Sequence, residues 1–443
     1  MRKSTHISFS SKLLLFISLG LLSSCATTKY KVDKQPLYKY FETNSTFRES
    51  HTGLLVYDLE ERSVLFDYNS QKHFTPASNT KLLTYFASLI LMGDSIPSIK
   101  FCEKHDTLYF TGTGDPTLLN ENFDYANTLE YLGSSTHQLV YVENQMADER
   151  FGPGWSWDDY PYYYSTEKSS FPIYGNTATF RMHSSSDYIQ IIPSHFENSF
   201  TIKQDTVVNN YSITRKEFEN EFILKFNEKP IEIDHVFPFK YSNDLFIHLL
   251  IDTLKLPVIH GVEFPTCKTE LFYSVPTDSV VKHILIESDN FLAEQMLLVI
   301  SGQFSDTLNS KKTINFMMKY HLSELKDEIY WVDGSGLSRY NQVTPNAMVN
   351  ILEKIYHKVP KKKLFTLLPE SGKNGTLKTS YPQLEGKIHA KTGSMSHVYN
   401  LSGFLETNSG KTLIFSFMNN NFNVSFSELK KDMEQVLMVF MNY

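Results

Sequence analysis

The chain has 443 residues, of which 41% are hydrophobic and 14% aromatic, enough apolar material for two or three packed domains. Its 42 basic and 49 acidic residues give a net charge of -7, so the sequence lacks the basic footprint of a nucleic-acid-binding protein and no such partner is expected. Neither a CxxC nor a HExxH pattern occurs, which leaves a metal site without support, and no cofactor is expected.

Arg2, Lys3 and Lys12 precede the apolar run LLLFISLGLL at 13–22, which is too short to span a bilayer comfortably and has the layout of a signal peptide. Directly after it, Leu22-Ser23-Ser24-Cys25 resembles the bacterial lipobox, in which cleavage before the cysteine is coupled to its lipidation. Cys25 would then be the first mature residue, and acyl chains, each worth about 0.8 kcal/mol per buried methylene, would hold the exported body at a membrane surface. Residues 26–50 are polar and lack periodicity, as in a tether.

GLLVYDLEERSVLFDYN at 53–69 alternates two apolar runs around a charged turn, a hairpin pattern. It leads into FTPASNTKLLTY at 74–85, where Leu82, Leu83, Phe86, Leu89 and Ile90 recur at helical spacing and predict a helix of three to four turns starting near Ser78. A serine N-cap would explain Ser78 but not Lys81. A capping box places Glu or Gln three residues after the serine, whereas a cation there opposes the helix dipole by roughly 0.3–1 kcal/mol. A local rule broken at a helix start points to a site.

From about 97 to 268 short β-type runs alternate with Tyr-rich loops such as WSWDDYPYYYS at 155–165, a β-rich insertion. Helical patterns return from about 270, in FLAEQMLLVI at 291–300 and AMVNILEKIYHK at 347–358. Residues 400–420 read as strand, turn, strand, and an amphipathic helix closes the chain. Cys102 and Cys267 could form one disulfide in an exported protein or remain two buried thiols.

Three short motifs carry chemistry. Serine three residues before lysine occurs five times, beginning at Ser78, Ser165, Ser279, Ser323 and Ser427, and is uninformative alone. Ser-x-Asn occurs only at Ser288-Asp289-Asn290, and Lys-Thr-Gly only at Lys391-Thr392-Gly393. This trio is the signature of penicillin-binding proteins and class A β-lactamases, and its order selects Ser78. Residues i and i+3 share a helix face, so Lys81 can take the proton of the Ser78 hydroxyl as it attacks an acyl carbon. For that lysine to act near neutral pH it must lose about 3 pKa units, which desolvation, the positive helix end and a second lysine all favour. Gly386-Lys387-Ile388-His389-Ala390 reads as a strand entering the site; Gly393 would leave room for substrate along its edge, and Lys391 and Thr392 can bind a terminal carboxylate.

With all three motifs in order, the chain resembles the D-Ala-D-Ala carboxypeptidase/endopeptidase family of class C low-molecular-mass penicillin-binding proteins. The 210 residues from Ser78 to Ser288 match the gap that this family fills with an inserted domain, and GTGDPTLL at 112–119, SDNFLAEQML at 288–297, DGSGLSRYNQVTP at 333–345, GTL at 375–377 and KTGSMSHVYNLSGF at 391–404 are similar in style. The resemblance implies an α+β fold, a β-lactamase/transpeptidase-like domain of antiparallel sheet flanked by helices, carrying a β-rich inserted domain. The division would be 1–25 signal peptide with lipidated Cys25, 26–50 tether, 51–96 plus 269–443 peptidase domain, and 97–268 insertion.

The resemblance also implies roles. Ser78 would be the acylated nucleophile, Lys81 its base, and Ser288 a proton relay to the leaving group. Asn290 would hold the substrate amide, Lys391 and Thr392 the terminal carboxylate, and the N–H groups of Ser78 and Ser394 the oxyanion, with Ser396 and the Asp333 to Ser338 loop lining the cleft. The implied partners are peptidoglycan stem peptides, β-lactams as covalent inhibitors, and a membrane through the lipid anchor. A β-lactamase, or an idle lipoprotein that binds wall peptide or penicillin, are the competing readings.

Overall fold

A computed structural model describes residues 32–123, 127–183, 188–228 and 232–443. Cys25, expected to carry the lipid, lies outside them. A five-stranded antiparallel sheet runs through the body in the order Ile388–Met395, Val398–Glu406, Thr412–Asn420, His51–Asp58, Ser63–Tyr68, so the two ends of the chain meet in its middle. Both faces are covered, which is why its central strands read as continuous apolar runs. Along one strand Leu413, Phe415 and Phe417 enter one core, while Ile414 and Met418 enter the other. The first of these cores is closed by the C-terminal helix Phe426–Met438. The second holds the helices Lys81–Leu91, Thr277–Ile286, Asn290–Ser301, Ser310–Tyr320 and Pro345–Lys358.

The expected tether at 26–50 is corrected for its described part. Residues Lys34–Thr43 and Ser45–Arg48 are helices, capped by the Asp33 carboxylate, which accepts from Gln35 N at 3.2 Å, and by the Asn44 side chain, which accepts from Phe47 N at 3.3 Å. Leu37, Phe41 and Phe47 are buried in the same core as the C-terminal helix, and Phe41 stacks on Tyr68 with ring centres 4.5 Å apart. Burying a side chain of that size contributes about 1.5–3 kcal/mol. Two helices of ten and four residues, anchored by few apolar side chains in a polar stretch, leave too weak a period to read.

The insertion is β-rich as expected. Its largest sheet runs Val258–Gly261, Gln138–Val142, Thr107–Gly112, Ser95–Lys104, Glu270–Pro276, and two three-stranded sheets join it around a third core with the helix Asn243–Leu254. Strands Ser95–Lys104 and Glu270–Pro276 pair with each other across the expected limits at 97 and 268, and the chain leaves and returns where Thr277 N donates to Asp94 O at 2.9 Å. Cys102 and Cys267 form a disulfide across a separation of 165 residues, tying the outgoing and returning segments together.

Candidate active site

Ser78 lies on a 3₁₀ turn, Ala77–Thr80, and the α-helix begins at Lys81. The expectation of a helix start near Ser78 is therefore shifted by one turn, and no side chain caps it. The tighter turn is imposed from below. Gly336 (φ 82°) passes so close that a Cβ on it would fall 1.9 Å from the Ala77 carbonyl oxygen, and Ala77 itself is held at φ 47°. A non-glycine residue in that region costs on the order of 1–3 kcal/mol, a strain met by the packing around it.

Lys81 is fully buried. Its Nζ lies 3.0 Å from Ser78 Oγ, 2.6 Å from Asn290 Oδ1 and 2.8 Å from the Ser335 carbonyl oxygen. A neutral amine has two N–H donors and one lone pair. Donation to Asn290 and Ser335 uses both donors and leaves the lone pair facing the Ser78 hydroxyl, which can then donate to it. Burial pulls the Lys81 pKa down to about 8 against the opposing pull of Asp289, Asp333 and Glu294. The shift is worth about 3 kcal/mol of lost preference for the charged form.

Lys391 is likewise fully buried and pushed well below the usual lysine range, first by desolvation and then by the charge of Lys81. Its Nζ donates to Ser288 Oγ and to the Thr392 carbonyl oxygen, both at 2.9 Å. Ser288 sits at φ 63°, immediately before Asp289, whose carboxylate caps the helix Asn290–Ser301. Asn290 Nδ2 donates to the Tyr164 carbonyl oxygen at 2.9 Å, so one of its two N–H groups holds the Tyr-rich loop and the other is left over. Thr392 Oγ1 accepts at 2.7 Å from, or donates to, the Thr376 hydroxyl. The three motifs are thereby brought to one place, with Ser78, Lys81 and Asn290 in one chain of contacts and Ser288, Lys391 and Thr392 in another.

One expectation changes in detail. Gly393 was expected to make room for substrate, but a Cβ there would meet Pro76 O at 2.4 Å, Asn79 N at 3.0 Å and Ser78 N at 3.1 Å. Its missing side chain accommodates the Ala77–Thr80 turn of the protein itself. Ser394 and Ser396 are exposed, beyond that contact. Ala390 N donates to Pro369 O and Ser371 N to Ile388 O, so even-numbered residues of this edge strand turn their backbone groups outward. By the same alternation the N–H of Thr392 and of Ser394 face the open edge, where among the described residues no strand pairs.

Of the supporting residues, the sequence reading named the Asp333 to Ser338 loop as lining the cleft but gave Glu294 no role. Asp333, 1% exposed, accepts from Gly336 N, Ser338 N, Asn341 Nδ2 and Trp155 Nε1 at 2.7–3.0 Å, and so fixes the loop that presents the Ser335 carbonyl to Lys81. Glu294, also 1% exposed, accepts from Ser335 N at 2.8 Å, and its carboxyl is pushed up to about 7 by burial and by the Asp333 charge. A carboxylate inside the apolar run FLAEQMLLVI was the available signal for Glu294, and GTL at 375–377 contained Thr376.

A family profile described as the D-Ala-D-Ala carboxypeptidase 3 (S13) family matches residues 35–220 and 271–442. A penicillin-sensitive carboxypeptidase A of Dictyostelium discoideum is 24% identical over 86% of this chain and 84% of its own. A D-alanyl-D-alanine carboxypeptidase of Haemophilus influenzae is 22% identical over 86% of this chain and 88% of its own. Among solved structures, penicillin binding protein 4 from Haemophilus influenzae superposes with a TM-score of 0.71 at 19% identity, over 89% of this chain and 97% of that one, a likeness of fold.

Proposed function

The chain belongs to the D-Ala-D-Ala carboxypeptidase 3 (S13) family and is a serine-type D-Ala-D-Ala carboxypeptidase of peptidoglycan, and from that premise we propose how its residues divide the work. The stem peptide lies along the open edge beside Thr392 and Ser394, its terminal carboxylate against Lys391 and Thr392. Ser78 Oγ attacks the carbonyl carbon of the penultimate D-Ala as its proton passes to the neutral Lys81 amine. The N–H groups of Ser78 and Ser394 take the developing oxyanion, an interaction worth several kcal/mol in the transition state. Ser288 gives its hydroxyl proton to the departing D-Ala nitrogen and takes up the proton that Lys81 received, and Asn290 steadies the substrate amide with its remaining N–H. Water then attacks the Ser78 ester and releases the shortened peptide.

The observation that carries this reading is the placement of the Lys81 amine, 3.0 Å from Ser78 Oγ and held by Asn290 Oδ1 and the Ser335 carbonyl oxygen. β-Lactams fit the same site as acylating inhibitors, in keeping with the penicillin-sensitive relative. The lipobox-like stretch ending at Cys25 supports export and anchoring by lipid at the wall-facing side of a membrane. Among the described residues no helix is long and apolar enough to cross one. Release of D-Ala from a stem pentapeptide tests the activity, and its loss in Ser78→Ala with retained folding tests the assignment. Membrane association that survives Cys25→Ala contradicts the anchor.

A further inference from the structure

On the insertion side of the Tyr-rich loop lies a cavity of about 230 Å³ that none of the proposed catalytic side chains lines. Four aromatic residues, Phe151, Trp155, Trp157 and Tyr160, form much of its wall, and Arg150, Glu167, Arg215 and Glu217 supply its charged groups. Arg215 is 5% exposed, and its Nε and Nη1 are buried with no hydrogen-bond partner. Its guanidinium carbon sits 5.4 Å from the centre of the Tyr160 ring. Glu167 lies close enough for its charge to act on Arg215, but its hydrogen bonds go to other groups: it accepts from Arg150 Nη1 at 3.3 Å and from Tyr241 N at 3.2 Å.

A buried guanidinium with two idle nitrogens is costly, and native interiors pair such groups almost without exception. The planar fork matches a carboxylate, and flat apolar walls beside it suit a ring or a short peptide backbone. We propose that this cavity is a second binding subsite, in which Arg215 takes a carboxylate borne on a sugar ring or on a short peptide while the aromatic walls cover its body. The subsite goes beyond the peptidase reading and does not depend on which serine is acylated. Its position is nevertheless connected to the catalytic turn, because Trp155 donates to Asp333 at 3.0 Å and the Tyr164 carbonyl accepts from Asn290 at 2.9 Å. A group held in the cavity therefore rests on the loop that organises the acylation residues.

The test is an equilibrium titration of the full-length protein followed by tryptophan fluorescence, since Trp155 and Trp157 are two of its three tryptophans. Saturating penicillin is present throughout, so that the catalytic cleft is filled. The probes are N-acetylmuramic acid and N-acetyl-D-alanine, each against a neutral counterpart, N-acetylglucosamine and N-acetyl-D-alanine amide, with inorganic phosphate as a further arm. A saturable response to one carboxylate, at least tenfold weaker for its neutral counterpart, lost in Arg215→Gln and weakened in Arg215→Lys, supports the subsite; which acid responds identifies the source. If Arg215→Gln does not melt as a folded protein, Arg150→Gln, at a half-exposed site, replaces it and should weaken binding severalfold. No response to either acid, equal binding of the neutral counterparts or of phosphate, or binding unaffected by the variants overturns the proposal.

Discussion

The Lys81 amine nitrogen and the Asn290 amide oxygen lie 2.6 Å apart across 209 residues of sequence. That contact joins the nucleophile turn to the helix that returns from the insertion, and through Asn290 Nδ2 it reaches the Tyr-rich loop. The Lys81 amine is thus oriented by a group that the same chain holds from its other side. Its protonation should set the pH response of acylation.

Burial places the Lys81 pKa at about 8, and the neutral form is the base. Below that value the lysine is an ammonium and the acylation rate should fall about tenfold for each pH unit lost; above it the rate should level off. Stopped-flow measurement of penicillin acylation from pH 5.5 to 9.5 reads this directly. A flat profile across that range would remove Lys81 from the role of base.

Charge changes beside Lys81 should move that profile in opposite directions. Asn290→Asp places a negative charge 2.6 Å from Nζ, favours the ammonium and shifts the rise to higher pH. Glu294→Gln removes one of the negative charges that hold the Lys81 pKa up, and shifts the rise to lower pH. The two variants should differ by about one pH unit or more in midpoint. Shifts of the same sign in both would contradict the electrostatic account.

Gly336→Ala tests the close approach under the nucleophile turn. Its Cβ would fall 1.9 Å from the Ala77 oxygen at a backbone φ of 82°, so the loop must move away. Thermal unfolding should show a loss of roughly 2–4 kcal/mol, and acylation should drop at least a hundredfold because the Ser335 carbonyl moves with the loop. Wild-type acylation in this variant would mean that the contact is not needed.

Opening the Cys102–Cys267 bridge should destabilise the insertion. A crosslink closing 165 residues limits the unfolded chain by up to about 5 kcal/mol, and removal of a native disulfide commonly costs 2–5 kcal/mol. Cys267→Ser should therefore lower the melting temperature, and reductant should lower that of the wild type to match. Equal melting of oxidised, reduced and Cys267→Ser protein would refute the bridge.

The residues gathered at the candidate site were legible in the sequence because chemistry imposes residue types at short spacing: Ser78 with Lys81, Ser288 with Asn290, Lys391 with Thr392. The central sheet was legible where its strands carry long apolar runs. What stayed hidden depends on contacts far apart in sequence. The helix Lys34–Thr43 is anchored by Leu37 and Phe41 on the sheet, which a window over polar residues 26–50 does not register. Gly393 was read as space for substrate, whereas only the fold brings Pro76 and Ser78 against it. Arg215 carries no motif in the sequence, and only the fold buries it beside Tyr160.

The central claim, that Ser78 is the residue acylated, is tested most directly by incubating the protein with labelled penicillin and mapping the adduct by mass spectrometry. The account predicts one adduct, on the peptide that contains Ser78, and none in Ser78→Ala. An adduct on a different serine, or a Ser78→Ala protein that still labels, would contradict it.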